Sequence, residues 1–400
     1  MMAKTGGSLS GIRVLDLSRV LAGPYCGQML ADHGAEVIKV EPPNGDDTRS
    51  WGPPFVSPGT SAYYNALNRN KRNIVLNLRD KGAQDALARL LDETDVLIEN
   101  FKAGTLAKWG FTDEVIANRY PQLIHCRITG YGVEGPMGGA PGYDAVLQAY
   151  GGLMSINGEA GGDPLRIGVP VVDVVTGILS FSGVLLALQE RTRSGRGQVV
   201  DCTLLDTCIS LLHPHSASWF VDGKLPQRTG SAHPTIAPYD TFTARDGLIF
   251  LGVGNDRQFR SLAELLGIPE IADQPQFARN SDRVTNRDTL RISLEASIRQ
   301  WYRADLAAAL LERGVPSSPV HTIGEALQNP QVLHRDMVID LPNYRGIGIP
   351  IKLNRTPGSV RSAPVKQGAD TTAILEDLGY SREEIIKLVT TDRLAYPETM

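Results

Sequence analysis

The chain has 400 residues, 42% of them apolar and 21% charged, with 44 acidic against 40 basic side chains and a net charge of −4. This composition can fill the cores of two or three domains and excludes a mainly disordered chain. Nothing in it suggests a nucleic-acid or anionic-membrane surface, which would need clustered Lys and Arg.

The first two hundred residues alternate strand and helix patterns. Ile12–Leu17 (IRVLDL) is a compact apolar run, and a helix-like segment follows it and ends at Gly34. Glu36–Glu41 reads as the second strand and Asn73–Leu78 (NIVLNL) as the third, after a basic turn NRNKR. Residues 79–93 place Ala83, Leu87, Leu90 and Leu91 at helical spacing, and Asp95–Asn100 and Gln122–Gly130 are two further strands. Near-continuous apolar strands alternating with helices predict an α/β, doubly wound parallel sheet covered on both faces. Two helices complete this large domain of residues 1–205, at about Tyr143–Ile156 and Val174–Arg193. Beyond Asp206 the texture changes, and Pro214, Pro226, Pro234 and Pro238 break the pattern, a stretch (206–238) that the family resemblance described below makes the linker. The strands TFTA and LIFLGVG, with two helices between Asp288 and Gly314, predict a smaller α+β domain at 239–325. Residues 326–400 form a second linker and a C-terminal segment, in which Ser381–Glu384 has the capping-box pattern that opens a last helix.

The longest apolar run, Gly177 to Leu188, is too short for a bilayer. The N-terminal stretch MMAKTGGSLSG has neither a signal-peptide core nor an amphipathic transit helix. The expectation is a cytoplasmic protein with no membrane or nucleic-acid partner. Cys26, Cys126, Cys202 and Cys208 form no CxxC pair and no cluster with His, so they read as free thiols and no metal site is expected. The first strand-to-helix turn, Ser18–Pro24, contains no GxGxxG, and no phosphate-binding GxxxxGK[ST] or hydrolase GxSxG occurs.

Asp173, in the apolar stretch VPVVDVVTG before the best helix, has two compatible readings. It is an N-cap, as Asp commonly is, or a nucleophile kept ionised by the helix N-terminus and stripped of water by its neighbours.

Several blocks in order resemble the class III CoA-transferases, the formyl-CoA transferase and carnitine CoA-transferase superfamily. They are LSGIRVLDLSRVLAGPYCGQMLADHGAEVIKVEPPNGDDTR, NRNKRNIVLNLRD, DVLIENFKAGTLAKWGF, RITGYGVEGP, GYDAVLQAYGG and RSGRGQVVDCTLLD. DDTRSWGPPFV and the stretch Gly230–Tyr239 are most similar to the succinyl-CoA:dicarboxylate subgroup, of the glutarate type. The resemblance implies a Rossmann-like large domain and a smaller domain in an open ring, two such rings interlocked as a homodimer, with residues after about 330 returning to the large domain. It implies CoA transfer from an acyl-CoA, succinyl-CoA in this subgroup, to a free carboxylic acid such as a C4–C6 dicarboxylate. Coenzyme A and acyl-CoA are then substrates, with no tightly bound cofactor. Asp173 aligns with the family's covalent nucleophile. Its aspartyl anhydride and aspartyl-CoA thioester need no metal and no separate base. The CoA contacts carried over are Val20, Leu21, Leu76, Asn77, Arg79, Asn100, Phe101, Lys102 and Lys108, all at strand C-terminal ends. Each basic residue among them is otherwise a solvated charge. Tyr143 and Asp144 fall near the thioester, or simply start a helix. His233 falls where the family's lid covers the acid site, with Gly230 as hinge, or is a satisfied loop histidine.

The chain departs from the family pattern at Pro42, where some members have a phosphate-binding basic residue, and at Asp144, which is shorter than the acidic residue of others. The racemases of this fold have a histidine where this chain has Tyr143, so an isomerase would lack one side of its proton shuttle. A non-catalytic acyl-CoA-binding protein is the other alternative, and it requires nothing of Asp173.

Overall fold

The computed structural model describes residues 6–393, with side chains through 388. The N-terminal stretch read above begins in residues 1–5, which lie outside the described residues. Six strands form one parallel sheet: β1 (Arg13–Asp16), β2 (Glu36–Glu41), β3 (Lys71–Val75), β4 (Val96–Glu99), β5 (Ile124–Thr129) and β6 (Val199–Thr203). Their spatial order is β3-β2-β1-β4-β5-β6, with Val14 in register with Val37 on one side and Val96 on the other. The chain thus winds outward in one direction from β1, then outward in the other from β4.

Both faces are covered, as continuous apolar strands require. Leu15, Ile74 and Leu97 pack with Leu87, Leu90 and Leu91 of helix α2 (Lys81–Asp92), while the alternate residues Val14, Val37 and Val96 are equally buried. Helix α1 (Ala22–Asp32) packs along α4 (Val171–Ser194), and α3 (Asp144–Tyr150) touches the start of α4. The expected single helix over 143–156 is broken at Gly151–Gly152. At 24 residues, α4 is long and apolar enough by composition alone to cross a membrane, but half of its most apolar window is buried against the protein.

The third strand begins two residues earlier than the sequence pattern indicated, at Lys71, and stops at Val75. The run NRNKR turns at residues 69–70 and then enters β3, with two of its cations buried. Arg69 forms an ion pair with Asp32 at 2.7 Å, and Lys71 pairs with Asp16 at 2.9 Å, all buried. Partners 37 and 55 residues upstream draw these cations into the interior.

Two compact units divide the chain. The first comprises 1–153, 167–214 and 331–400, and the second 154–166 and 215–330. The expected boundaries at 205, 238 and 325 differ from these, because 206–214 cluster with the first unit while 154–166 and 215–238 cluster with the second. The second unit has helix α5 (His215–Asp222) and an antiparallel sheet of β7 (Tyr239–Ala244), β8 (Gly247–Gly252) and β9 (Ser317–Pro319), ordered β9-β8-β7. Phe242, Ile249 and Leu251 of this sheet are buried with Phe259, Leu290, Leu294, Ile298 and Leu306 from helices α6 (Asp256–Leu265), α7 (Arg287–Ile298) and α8 (Arg303–Glu312).

Within the first unit, the C-terminal segment seals the open edge of β3. The Asp370 carboxylate accepts from the Asn73 N–H at 2.8 Å, and the Thr371 hydroxyl accepts from the Val75 N–H at 3.1 Å. An edge strand left bare would offer its backbone to another chain. The last helix, α10 (Arg382–Arg393), follows α9 (Thr371–Asp377) and starts with the Ser381/Glu384 capping box anticipated from the sequence.

Candidate active site

The order in which strands are added reverses between β1 and β4, which is where open α/β sheets leave a crevice beyond the strand ends. The loops after β1, β4 and β5 line a cavity of about 210 Å³ there. Of the sequence candidates, it brings together Val20, Leu21, Asn100, Phe101, Lys102, Tyr143 and Asp173.

Asp173 is half-buried and occupies the third position of α4, in the first turn rather than at the cap. The cap is Pro170, which has no side chain able to accept the orphaned N–H groups of the first turn. Asp144 supplies that acceptor from another helix: one carboxylate oxygen takes the N–H of Val172 at 2.8 Å and that of Asp173 at 3.1 Å. Its other oxygen accepts from Gln148 Nε2 at 2.6 Å, and Gln148 Oε1 accepts the Ile167 N–H at 2.8 Å. The N-cap role therefore falls to Asp144, and the Asp173 side chain is left to the cavity. Burial and then the Asp144 charge push the Asp173 carboxyl from its usual 3.8 up to about 7. Such a carboxylate is more basic and more nucleophilic than an exposed one.

Two residues escaped the sequence reading. Arg19, in the first turn, lines the cavity with its guanidinium 5.9 Å from the Phe101 ring centroid. A basic residue at a strand-to-helix turn was the signal that could have found it. Tyr63 stacks edge-on to Trp51 at 5.3 Å, and burial followed by the Asp173 charge pushes its phenol up to about 12. It stays a proton donor at any working pH.

Other candidates lie off this cavity. Leu76 is a core residue. Asn77 bonds Asp80 at 2.9 Å in a local turn, and Arg79 and Lys108 are exposed. Gly230 and His233 belong to the second unit. Gly230 has φ +61° and donates to Gly158 O at 3.0 Å. His233 Nδ1 accepts the Thr235 N–H at 3.2 Å, so the proton of its neutral ring sits on Nε2, and the ring lies edge-on to Tyr239. Cys26, Cys126, Cys202 and Cys208 are all free thiols, and among the described residues no cluster of His, Cys, Asp and Glu could hold a metal.

The model of CoA-transferase family III matches residues 9–371. The chain belongs to CoA-transferase family III. It is similar to the succinate–glutarate CoA-transferase of Agrobacterium fabrum, 42% identical over 395 residues that cover 97% of this chain and 98% of that one. It is also similar to the human succinyl-CoA:glutarate CoA-transferase, 37% identical, with 98% and 91% covered. Among solved structures, a CAIB/BAIF family protein from Brucella suis superposes with a TM-score of 0.87 at 42% identity, over 93% of this chain and 99% of that one.

Proposed function

We propose that this enzyme transfers CoA from succinyl-CoA to a C4–C6 dicarboxylate such as glutarate, with Asp173 as the covalent carrier. The observation that carries the assignment is the carboxylate itself, on the cavity wall, with its acidity weakened by burial and by Asp144. The Asp173 carboxylate attacks the thioester carbonyl and expels CoA thiolate, giving a mixed anhydride. The thiolate attacks the aspartyl carbonyl of that anhydride, forming an aspartyl-CoA thioester and releasing succinate. The acceptor carboxylate then attacks the aspartyl thioester and expels the thiolate. Thiolate attack on the acceptor carbonyl of the new anhydride yields the product thioester and regenerates Asp173. Every leaving group departs as an anion, so no separate base is needed. Arg19 and Lys102 are the cations that offset the charge of CoA at this cavity, Arg19 taking the role left open at Pro42. Asn77, Arg79 and Lys108 are assigned to the outer part of the CoA, Leu76 being buried in the core instead, and Gly230 and His233 are assigned to the acid.

The family resemblance speaks against an isomerase, since Tyr143 stands where the racemases have a histidine, and both oxygens of Asp144 are held by N–H donors. The acid preference rests on the similarity to the succinate–glutarate CoA-transferases.

The family resemblance supports an interlocked homodimer. So does α5, which buries none of its residues and exposes Trp219, Phe220 and Val221.

The deciding experiment is trapping. With succinyl-CoA alone, hydroxylamine should convert Asp173 to its hydroxamate, located by peptide mass spectrometry, and Asp173→Ala should lose several orders of magnitude in turnover. A hydroxamate on any other residue, or more than about a tenth of activity left in folded Asp173→Ala, removes the assignment.

A further inference from the structure

Val20, on the cavity wall, has φ +72°. A β-branched residue in the left-handed region is a genuine outlier, and such strain persists only where the surroundings over-determine it. Here they do. Asp16 accepts the Ser18 N–H at 3.0 Å, and Lys39 Nζ donates to Ser18 O at 2.7 Å. The Asn100 amide brackets the next residue, accepting the Arg19 N–H at 2.9 Å and donating to Arg19 O at 2.7 Å. Asp46 accepts the Val20 N–H at 3.4 Å and pairs with Lys39 at 3.1 Å. Five consecutive backbone groups of one turn are thus held by side chains, and Asp16, Lys39 and Asp46 are fully buried.

The turn is also tied to the helix that carries Asp173. A Cβ on Gly177, one helical turn beyond Asp173, would stand 2.7 Å from Ala22 O, so the backbones of α1 and α4 approach as closely as glycine permits. Burying one cation and two carboxylates contributes little to stability by itself, since desolvation offsets most of their attraction. Holding one strained backbone conformation beside a reacting carboxylate is a use that repays it.

We propose that Asn100, Lys39 and Asp46 are positioning residues, a clamp that keeps the Val20 turn in its left-handed form so that it seats the thioester against Asp173. Asn100 then acts through the Arg19 peptide rather than by touching CoA. This inference rests on the acyl-CoA reading given above.

The test exploits glycine, which adopts φ +72° without strain. In the parent, Asn100→Ala should lower kcat about 10–100-fold and change the KM for succinyl-CoA by less than about 3-fold. In the Val20→Gly background, where little strain is left to hold, the same change should lower kcat by less than about 3-fold. Melting temperatures of the four proteins should show the same non-additivity. Equal losses in both backgrounds, or a loss confined to KM, would overturn the clamp and make Asn100 a direct contact. Coupling in the melts without coupling in kcat would overturn the seating role. Absence of transferase activity in the parent would instead refute the acyl-CoA reading, with the melting cycle still reporting on the strained turn.

Discussion

The carboxyl of Asp173 ionises near 7 in the folded chain and near 3.8 when unfolded. Between those values the folded protein holds one more proton than the unfolded one, so stability falls as pH rises and the loss is complete above about 7. At ~1.4 kcal/mol per pH unit this is at most about 4 kcal/mol. Asp173→Asn should therefore unfold at higher urea than the parent near pH 8, by about 2–4 kcal/mol, and match it near pH 4. Attack on the thioester needs the ionised form, so kcat/KM for the donor should climb through an apparent pKa near 7 and level off above it. A profile flat from about pH 5.5 to 8, with no pH-dependent gain in the Asn variant, would show that Asp173 titrates normally. In the second unit, His233 offers an Nε2–H donor because Nδ1 is occupied by Thr235. His233→Ala should weaken dicarboxylate acceptors by about 1.5–3 kcal/mol in KM and leave monocarboxylates nearly unchanged. Equal losses for both classes would reassign it to folding or loop closure.

At the scale of elements, apolar runs located β1, β2, β4 and β5, and helical spacing located α1, α2, α7 and α8, within a residue or two, because a strand buried on both faces announces itself locally. What escaped was everything set by distant partners. Lys71 opens β3 because Asp16 is waiting inside, and the cap of α4 comes from Asp144, 28 and 29 residues before the N–H groups it serves. No local pattern encodes either. The same limit separated the basic candidates: Lys102 reaches the switch-point cavity, Arg79 and Lys108 do not, and Arg19 does although no motif singled it out. Arg19→Ala leaves the backbone bonds of its turn intact and removes one cation from the cavity wall. The KM for succinyl-CoA should rise about 10-fold, and by more at low salt. An unchanged KM, or one insensitive to salt, would remove Arg19 from the set of phosphate partners.

For the whole molecule, the interlocked homodimer proposed above would be two threaded rings, which cannot part without unfolding. Dilution to nanomolar concentration should leave the sedimentation coefficient of a dimer unchanged, and urea should abolish dimer and activity together. An active species of monomer mass under dilution would contradict the interlocked assembly.

The seal on β3 has a consequence for biosynthesis. The hydroxyl that satisfies the Val75 amide belongs to Thr371, 296 residues later in the chain. At roughly 5–20 residues per second, a ribosome needs about 15–60 s to produce it. Throughout that interval the nascent first unit carries a finished strand with a bare edge, while residues 215–330 emerge and can build their own core. Slower translation across the second unit should lengthen the exposure of that edge and lower the soluble yield of the enzyme.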